Sequence, residues 1–137
     1  MAARQQRKRR FVMVVLCAGL MLLLHAVSGR AQPPPKIELP PSYTLEVLDP
    51  TVSRKGGLIS VSGSVRMANP WAETAWGYLE LSLMDNKGNL IKKVLVNYFP
   101  KPVTRTYHSA NEHRAFFGVS VNVGDRTVAL VRIVYHD

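Results

Sequence analysis

The feature that most constrains this chain is a two-residue alternation of apolar and polar side chains, which begins near Tyr43 and runs to the last residue. In "LISVSGSVRM", residues 58–67, aliphatic residues alternate with serines and an arginine. Successive side chains of a strand project to opposite faces, so this pattern predicts a strand with one buried face. "GYLELSLMD", residues 77–85, repeats it. The residues predicted to face inward are Ile59, Val61, Val65, Met67, Leu79, Leu81 and Leu83.

Four further segments of the same kind are "YTLEVLD", "LIKKVLVNY", "RAFFGVSV" and "VALVRIVYH". In chain order, a loop separates "LISVSGSVRM" from "GYLELSLMD". The stretch "DNKGN" at 85–89 predicts a tight turn between "GYLELSLMD" and "LIKKVLVNY", because Gly88 can adopt a positive φ. The last two segments are predicted to pair with each other across "NVGDRT". No segment after residue 43 has a helical period. Residues 43–137 are therefore predicted to form one small, antiparallel, all-β sandwich of six to seven strands.

The stretch "VSGSVRMAN" followed by "LSLMDNKGN" resembles the small immunoglobulin-like exported domains of the FxLYD type. The chain departs from the family pattern at Leu81, where the family has phenylalanine, and at Met84, where it has tyrosine. The resemblance implies an immunoglobulin-like sandwich that serves as a scaffold or binding module, with no shared catalytic residues. The residues that match the family pattern are Val61, Gly63, Val65, Asn69, Leu83, Asp85 and Gly88.

The N-terminus carries the pattern of an export signal. The basic stretch "RQQRKRR" precedes the apolar run "FVMVVLCAGLMLLLHAV" at residues 11–27, and small residues follow it. This order directs a chain to the export machinery and keeps the basic end in the cytoplasm. Residues 1–31 are predicted to be a signal peptide or an uncleaved helical membrane anchor. The rest of the chain is expected in the periplasm or outside the cell, with membrane contact through residues 11–27 if they are retained.

A proline-rich stretch, "AQPPPKIELPPSY", joins this segment to the alternating region. Proline fixes φ and favours extended geometry, so residues 32–42 are predicted to be a semi-rigid linker. Cys17 is the single cysteine of the chain and lies in the apolar run. The exported domain therefore has no internal disulfide and must be stabilised by packing.

The net charge of +9 comes mostly from the N-terminus. Residues 1–31 contain six basic side chains and no acid, which leaves 12 basic and 9 acidic residues in the remaining chain. A net charge of +3 with dispersed cations does not favour nucleic-acid binding. No nucleophile elbow, phosphate loop or His-Glu-x-x-His motif occurs, so the chain is predicted to be non-enzymatic and to need no cofactor.

The histidines offer one alternative to this interpretation. His108, His113 and His136, with Glu112, could together hold Zn²⁺ or Cu²⁺ in a periplasmic metal-binding protein. Strand parity argues against this site, because His113 shares the inward face of its strand while His136 faces outward. A polar hairpin with an outward contact between His136 and Glu112 is the favoured interpretation.

The aromatic residues suggest a binding role. Trp71 and Trp76 lie in "NPWAETAWGY", and Trp76 and Tyr78 share the face opposite the leucines of their strand. Such residues either plug one end of the sandwich or form an exposed interface, where Trp and Tyr are favoured. The chain is predicted to be an interaction or structural module of a bacterial envelope that binds a protein partner through these aromatics or a strand edge. A carbohydrate-binding module that uses Trp71, Trp76 and Tyr78 is the further alternative. The predicted partner-binding residues are Trp71, Trp76, Tyr78, Tyr98 and Phe116.

Overall fold

A computed structural model of the protein describes residues 32–69, 71–104 and 113–137, which are all-β. In these ranges no helix is long and apolar enough to cross a membrane. The apolar run at residues 11–27, on which the export prediction falls, lies outside the described residues. The strands are β1 (Lys36–Glu38), β2 (Leu45–Lys55), β3 (Leu58–Met67), β4 (Thr74–Ala75), β5 (Tyr78–Met84), β6 (Leu90–Val96), β7 (Val103–Thr104), β8 (Ala115–Asn122) and β9 (Leu130–His136).

Two sheets form the sandwich. One has the strand order β1-β9-β5-β6 and the other β2-β3-β8, while β4 and β7 form a short separate pair. All neighbours are antiparallel except β1 and β9, which run parallel. The prediction of a small all-β fold is confirmed, and its six long strands overlap the six segments that the alternation predicted, although β2 continues to Lys55, six residues beyond "YTLEVLD". Among the described strands, the parallel β1 is the one departure from an antiparallel arrangement.

The core lies between the inward faces of the two sheets. Alternate residues of β5 and β9 on one side, and of β3 and β8 on the other, are buried in one apolar cluster. This confirms the predicted inward faces, because alternation along a strand sends every second side chain to the same side. The least exposed large side chains are Leu45, Ile59, Leu79, Leu81, Leu83, Ile133, Val61, Val65 and Val131.

The predicted pairing of the last two strands is wrong. β8 pairs with β3, with Val119 opposite Val61, whereas β9 lies between β1 and β5, with Ile133 opposite Leu81. The connection at residues 123–129 therefore crosses from one sheet to the other. Its Val123 N–H donates to Gly57 O at 2.9 Å, so one end of the connection is held on the three-stranded sheet. Its other end is held on the four-stranded sheet by a bond from Ala129 N to Met84 O, also 2.9 Å.

The proline-rich segment contributes a strand to the sandwich. Lys36–Glu38 pair with Leu130, Val131 and Arg132 as β1. The Arg132 guanidinium donates to Glu38 Oε2 at 2.9 Å across this pair. This part of the predicted linker is therefore an edge strand rather than a free spacer.

One end of the sandwich, which we call the turn end, consists of closely tied turns at residues 56–57, 85–89 and 123–129. Gly56, with φ +58°, begins the two-residue turn between β2 and β3. The Arg54 guanidinium donates to Gly56 O, Gly124 O and Arg126 O at 3.0, 3.2 and 3.1 Å. One side chain thus fastens two of the three turns to each other.

The predicted turn at residues 85–89 is confirmed. Asp85 Oδ1 accepts from Lys87 N at 2.8 Å and Asn89 N at 2.9 Å, and Oδ2 accepts from Asn89 Nδ2 at 3.0 Å. These bonds, first that from the Asn89 side chain, hold the pKa of Asp85 below its usual value. Gly88 has φ +82°, a conformation that glycine adopts without strain, which explains why a glycine occupies this position.

Candidate functional site

The opposite end of the sandwich gathers most of the exposed aromatic side chains. β2, β5 and β8 begin there, and β3, β6 and β9 end there. Phe99, which follows β6, exchanges two backbone hydrogen bonds with Phe116 of β8, at 2.9 and 2.7 Å, so the two sheets meet at this end. We call this region the aromatic end and define it by Tyr43, Trp71, Trp76, Phe99 and Phe116.

The five rings of the aromatic end are largely open to solvent. Folded proteins normally bury most of the area of large aromatic residues, so five such rings at one end are unusual for a surface without a partner. At the turn end the exposed large hydrophobic residues are the aliphatic Leu58 and Leu90. The exposed fractions are 92% for Tyr43, 89% for Trp71, 65% for Trp76, 79% for Phe99 and 65% for Phe116.

Trp71 is placed by its local backbone. The Asn69 side-chain oxygen accepts a hydrogen bond from Trp71 N at 2.9 Å. This bond ties the Trp71 backbone to Asn69, two residues after the end of β3, and does not involve the indole. The indole ring itself is exposed.

Trp76 is placed by the glycine that follows it. Gly77 lies so close to β9 that a Cβ at this position would overlap His136 O and come within 2.7 Å of the Tyr135 ring. Gly77 N also donates to the Tyr135 hydroxyl at 3.2 Å. The chain is thus pressed against β9 immediately after Trp76, and only glycine fits this approach.

Phe99 and Phe116 form an exposed pair on the outer face of the three-stranded sheet. Residues that exchange both backbone hydrogen bonds in an antiparallel pair project their side chains to the same face. Phe116 was predicted to face a partner, and its ring is exposed. The sequence argument missed Phe99, although the inward parity of Val94 and Val96 would have placed residue 99 outward.

Tyr98 does not belong to this surface. It is 2% exposed and its hydroxyl donates to Ala75 O at 3.2 Å. Burial raises the pKa of this phenol above its ordinary value. Tyr98 continues the inward alternation of β6, so the prediction that it contacts a partner does not agree with its position in the core.

Tyr78 is half-buried, because a neighbouring ring covers it. The His136 imidazole stacks on the Tyr78 ring with centroids 5.3 Å apart and an interplanar angle of 18°. Glu80 lies next along β5, with Oε1 2.9 Å from Lys93 Nζ and Oε2 3.6 Å from His136 Nε2. The hydrogen bond from Lys93 lowers the pKa of Glu80, against an opposing effect of desolvation. Tyr78 is therefore part of a packed polar cluster on the outer face of the four-stranded sheet.

The histidines fall into different surroundings. His113 is exposed before β8, and His136 lies beside Tyr78 and Glu80, because β9 pairs with β5. His108 and Glu112 lie outside the described residues, and so does the predicted contact between His136 and Glu112. Within the described ranges, no three His, Cys, Asp or Glu side chains are grouped as metal ligands.

A cavity of about 340 Å³ opens between the segment after β1 and the first residues of β2. Pro40, Pro41 and Leu45 supply part of its apolar wall, and Ile133 and Tyr135 of β9 complete it. The space is of the size of one or two large side chains. Ser42 and Ala68 also line it, so the cavity lies beside the start of β2 and the residue that follows β3.

No protein-family model, curated protein sequence or solved structure matches this chain. The resemblance to the FxLYD-type domains therefore rests on the residues between Val61 and Gly88 alone.

Proposed function

We propose that this chain is a non-enzymatic interaction module of the bacterial envelope, exported by its N-terminal segment, and that it binds a protein partner through the aromatic end. The observation that carries the proposal is the exposure of Trp71 and Trp76 together with Tyr43, Phe99 and Phe116 at one end of the sandwich. Tryptophan and tyrosine dominate the energetics of protein interfaces because each buries a large, rigid, amphipathic area.

The position at which the chain joins the sandwich supports the same proposal. Residues 33–35 lead into β1, whose first residue, Lys36, lies opposite Leu130 near the turn end. The first described strand therefore enters the sandwich at the end opposite to the aromatic rings, so this entry point does not occupy the aromatic end.

Cross-linking in living cells tests this proposal directly. A photoreactive amino acid in place of Trp76 should give a discrete cross-linked species, because this position lies within the interface. The matched control places the same group at Leu58, which is exposed at the turn end. Equal cross-linking at both positions, or none at Trp76, would contradict the proposal.

Carbohydrate binding is the second candidate, and the open indole of Trp71 favours it, since sugar rings stack on exposed indoles. Trp71 and Trp76 are the only two tryptophans of the chain, so its tryptophan emission reports on the aromatic end alone. Titration with envelope glycans should shift or quench this emission if sugars bind there, and a Trp71→Ala variant should lose the response. Unchanged emission across the series excludes this candidate for the glycans used. Tyr78 is no longer part of the proposed stacking surface, because His136 covers its ring.

A further inference from the structure

In the part of the chain that the structure describes, four strands stand at the edges of the two sheets. Three of them carry features that discourage pairing with another chain. β6 has Lys92 and Lys93, and β1 is flanked by prolines at 33–35 and 40–41. β2 has a register irregularity between Leu48 and Thr51, where Asp49 adopts φ +49°. β8 has no charged residue, proline or register irregularity from Ala115 to Asn122.

The contact with Phe99 shows which backbone groups of β8 point outward. Both the N–H and the C=O of Phe116 bond to Phe99 rather than to β3. Because these groups alternate in direction along a strand, those of Gly118, Ser120 and Asn122 also point away from β3. Among the described residues, the backbone groups of these three have no strand beside them. They form a short, open, uncharged strand edge next to the aromatic pair.

We propose that this edge pairs with the same edge of a second copy of the chain, antiparallel and centred on Ser120. In this register Ser120 lies opposite the second copy's Ser120, and Gly118 lies opposite its Asn122, so all three residues exchange backbone hydrogen bonds. The two three-stranded sheets then become one continuous sheet of six strands.

The side chains along β8 suit this pairing. On the inner face Val119 is half-exposed, and the register places it against Val121 of the second copy. On the outer face Gly118 and Ser120 are small, and a Cβ at Gly118 would meet only Ser62 Cβ, at 3.8 Å. After β8 the chain turns at Gly124, which has φ +59°. In this register the β8 strand of the second copy therefore ends before it reaches Phe116, where Phe99 already pairs. The β8 edges of two copies are both uncharged and equally long, so they can pair without charge repulsion and without a length mismatch.

The test measures self-association by analytical sedimentation over a wide range of protein concentration. The protein is purified in the form that the cell produces after export. A reversible monomer–dimer equilibrium is expected. Ser120→Lys should raise the dimer dissociation constant by about tenfold or more, because the symmetric register sets two like charges directly opposite each other. Ser120→Glu should do the same.

Mixing the Ser120→Lys and Ser120→Glu variants should restore the dimer, because only the centred register pairs position 120 with itself. Ser120→Ala is the matched control: it removes the hydroxyl that contacts Ser60 Oγ at 2.8 Å but keeps the neutral edge, and it should dimerise like the wild type. Circular dichroism of each variant confirms that the fold is retained. The substituted side chain projects outward from an exposed position, so these variants are expected to fold.

Two results would overturn the proposal: a monomer at every concentration, or a dimer that the two charged variants leave unchanged. Neither result bears on the aromatic end, because the variants leave Trp71 and Trp76 intact. Conversely, loss of cross-linking at Trp76 with an intact dimer would overturn the proposed function alone.

Discussion

The turn end and the aromatic end are opposite ends of the same six long strands, yet their connections differ in kind. At the turn end, Arg54 and Asp85 bond to nearby backbone groups and close the turns on themselves. At the aromatic end the connections are longer and carry Trp71, Trp76 and Phe99 to the surface. The difference indicates that the turn end serves folding, while the aromatic end bears large apolar area that folding leaves uncovered.

The largest effect is expected from two adjacent residues, of which Tyr98 lies in the core and Phe99 in the aromatic end. Tyr98→Ala should lower the free energy of unfolding by about 3–5 kcal/mol, because it empties a buried aromatic site. Phe99→Ala should change it by less than about 0.5 kcal/mol, because that ring is exposed. Urea denaturation of both variants measures the difference. Similar losses for the two would mean that Phe99 is covered in the folded protein.

Gly77→Ala should destabilise the domain by about 2–3 kcal/mol, because the new Cβ would be forced against His136 O and the Tyr135 ring. The matched control is Gly118→Ala, which adds the same methyl group where it makes only an ordinary van der Waals contact, 3.8 Å from Ser62 Cβ. It should leave the melting temperature equal or slightly higher, since glycine weakens a strand. A tolerated Gly77→Ala change would contradict the close approach of residue 77 to β9.

At the turn end, Gly88→Ala should cost about 1 kcal/mol, because an L-residue with a side chain adopts φ near +82° only with strain. Gly88→Asn should cost less, since asparagine tolerates this conformation. Thermal denaturation of the two variants compares them. Equal destabilisation would point to a cause other than φ.

The smallest effect concerns the acid side of the stability curve. The folded-state pKa of Asp85 is lowered from 3.8, so its contribution is fully present above that value and is lost as the pH falls through the folded-state pKa. Asp85→Asn should therefore lower the melting temperature at neutral pH, and the difference from the wild type should shrink in strongly acidic solution. A difference that is constant with pH would show that the charge of Asp85 plays no part.

The candidate site was only partly visible in the sequence. Trp71, Trp76 and Phe116 are exposed, which is one of the two arrangements that the sequence left open, the other being an aromatic plug. Their positions come from loop location and strand parity. Trp76 and Tyr78 have the same parity, but Tyr78 is covered by His136, which comes from β9, 58 positions further along the chain. Parity gives the direction of a side chain but not what lies over it, as Ser82 also shows. It faces outward, yet it is 8% exposed between its cross-strand neighbours Arg132 and Lys93.

The sequence by itself determined the six long strands, their inward faces and the turn at residues 85–89, because these depend on local alternation and on the backbone freedom of Gly88. Only the tertiary structure decided that β8 pairs with β3, that β9 lies between β1 and β5, and that a proline-flanked segment supplies β1. Which strands pair depends on how the two sheets pack around one core. The alternation pattern shows which face of a strand is buried, but it is the same whichever neighbour the strand pairs with, so it does not identify the partner. The open edge of β8 follows from that choice of partners, so it could not be found before the strands were placed.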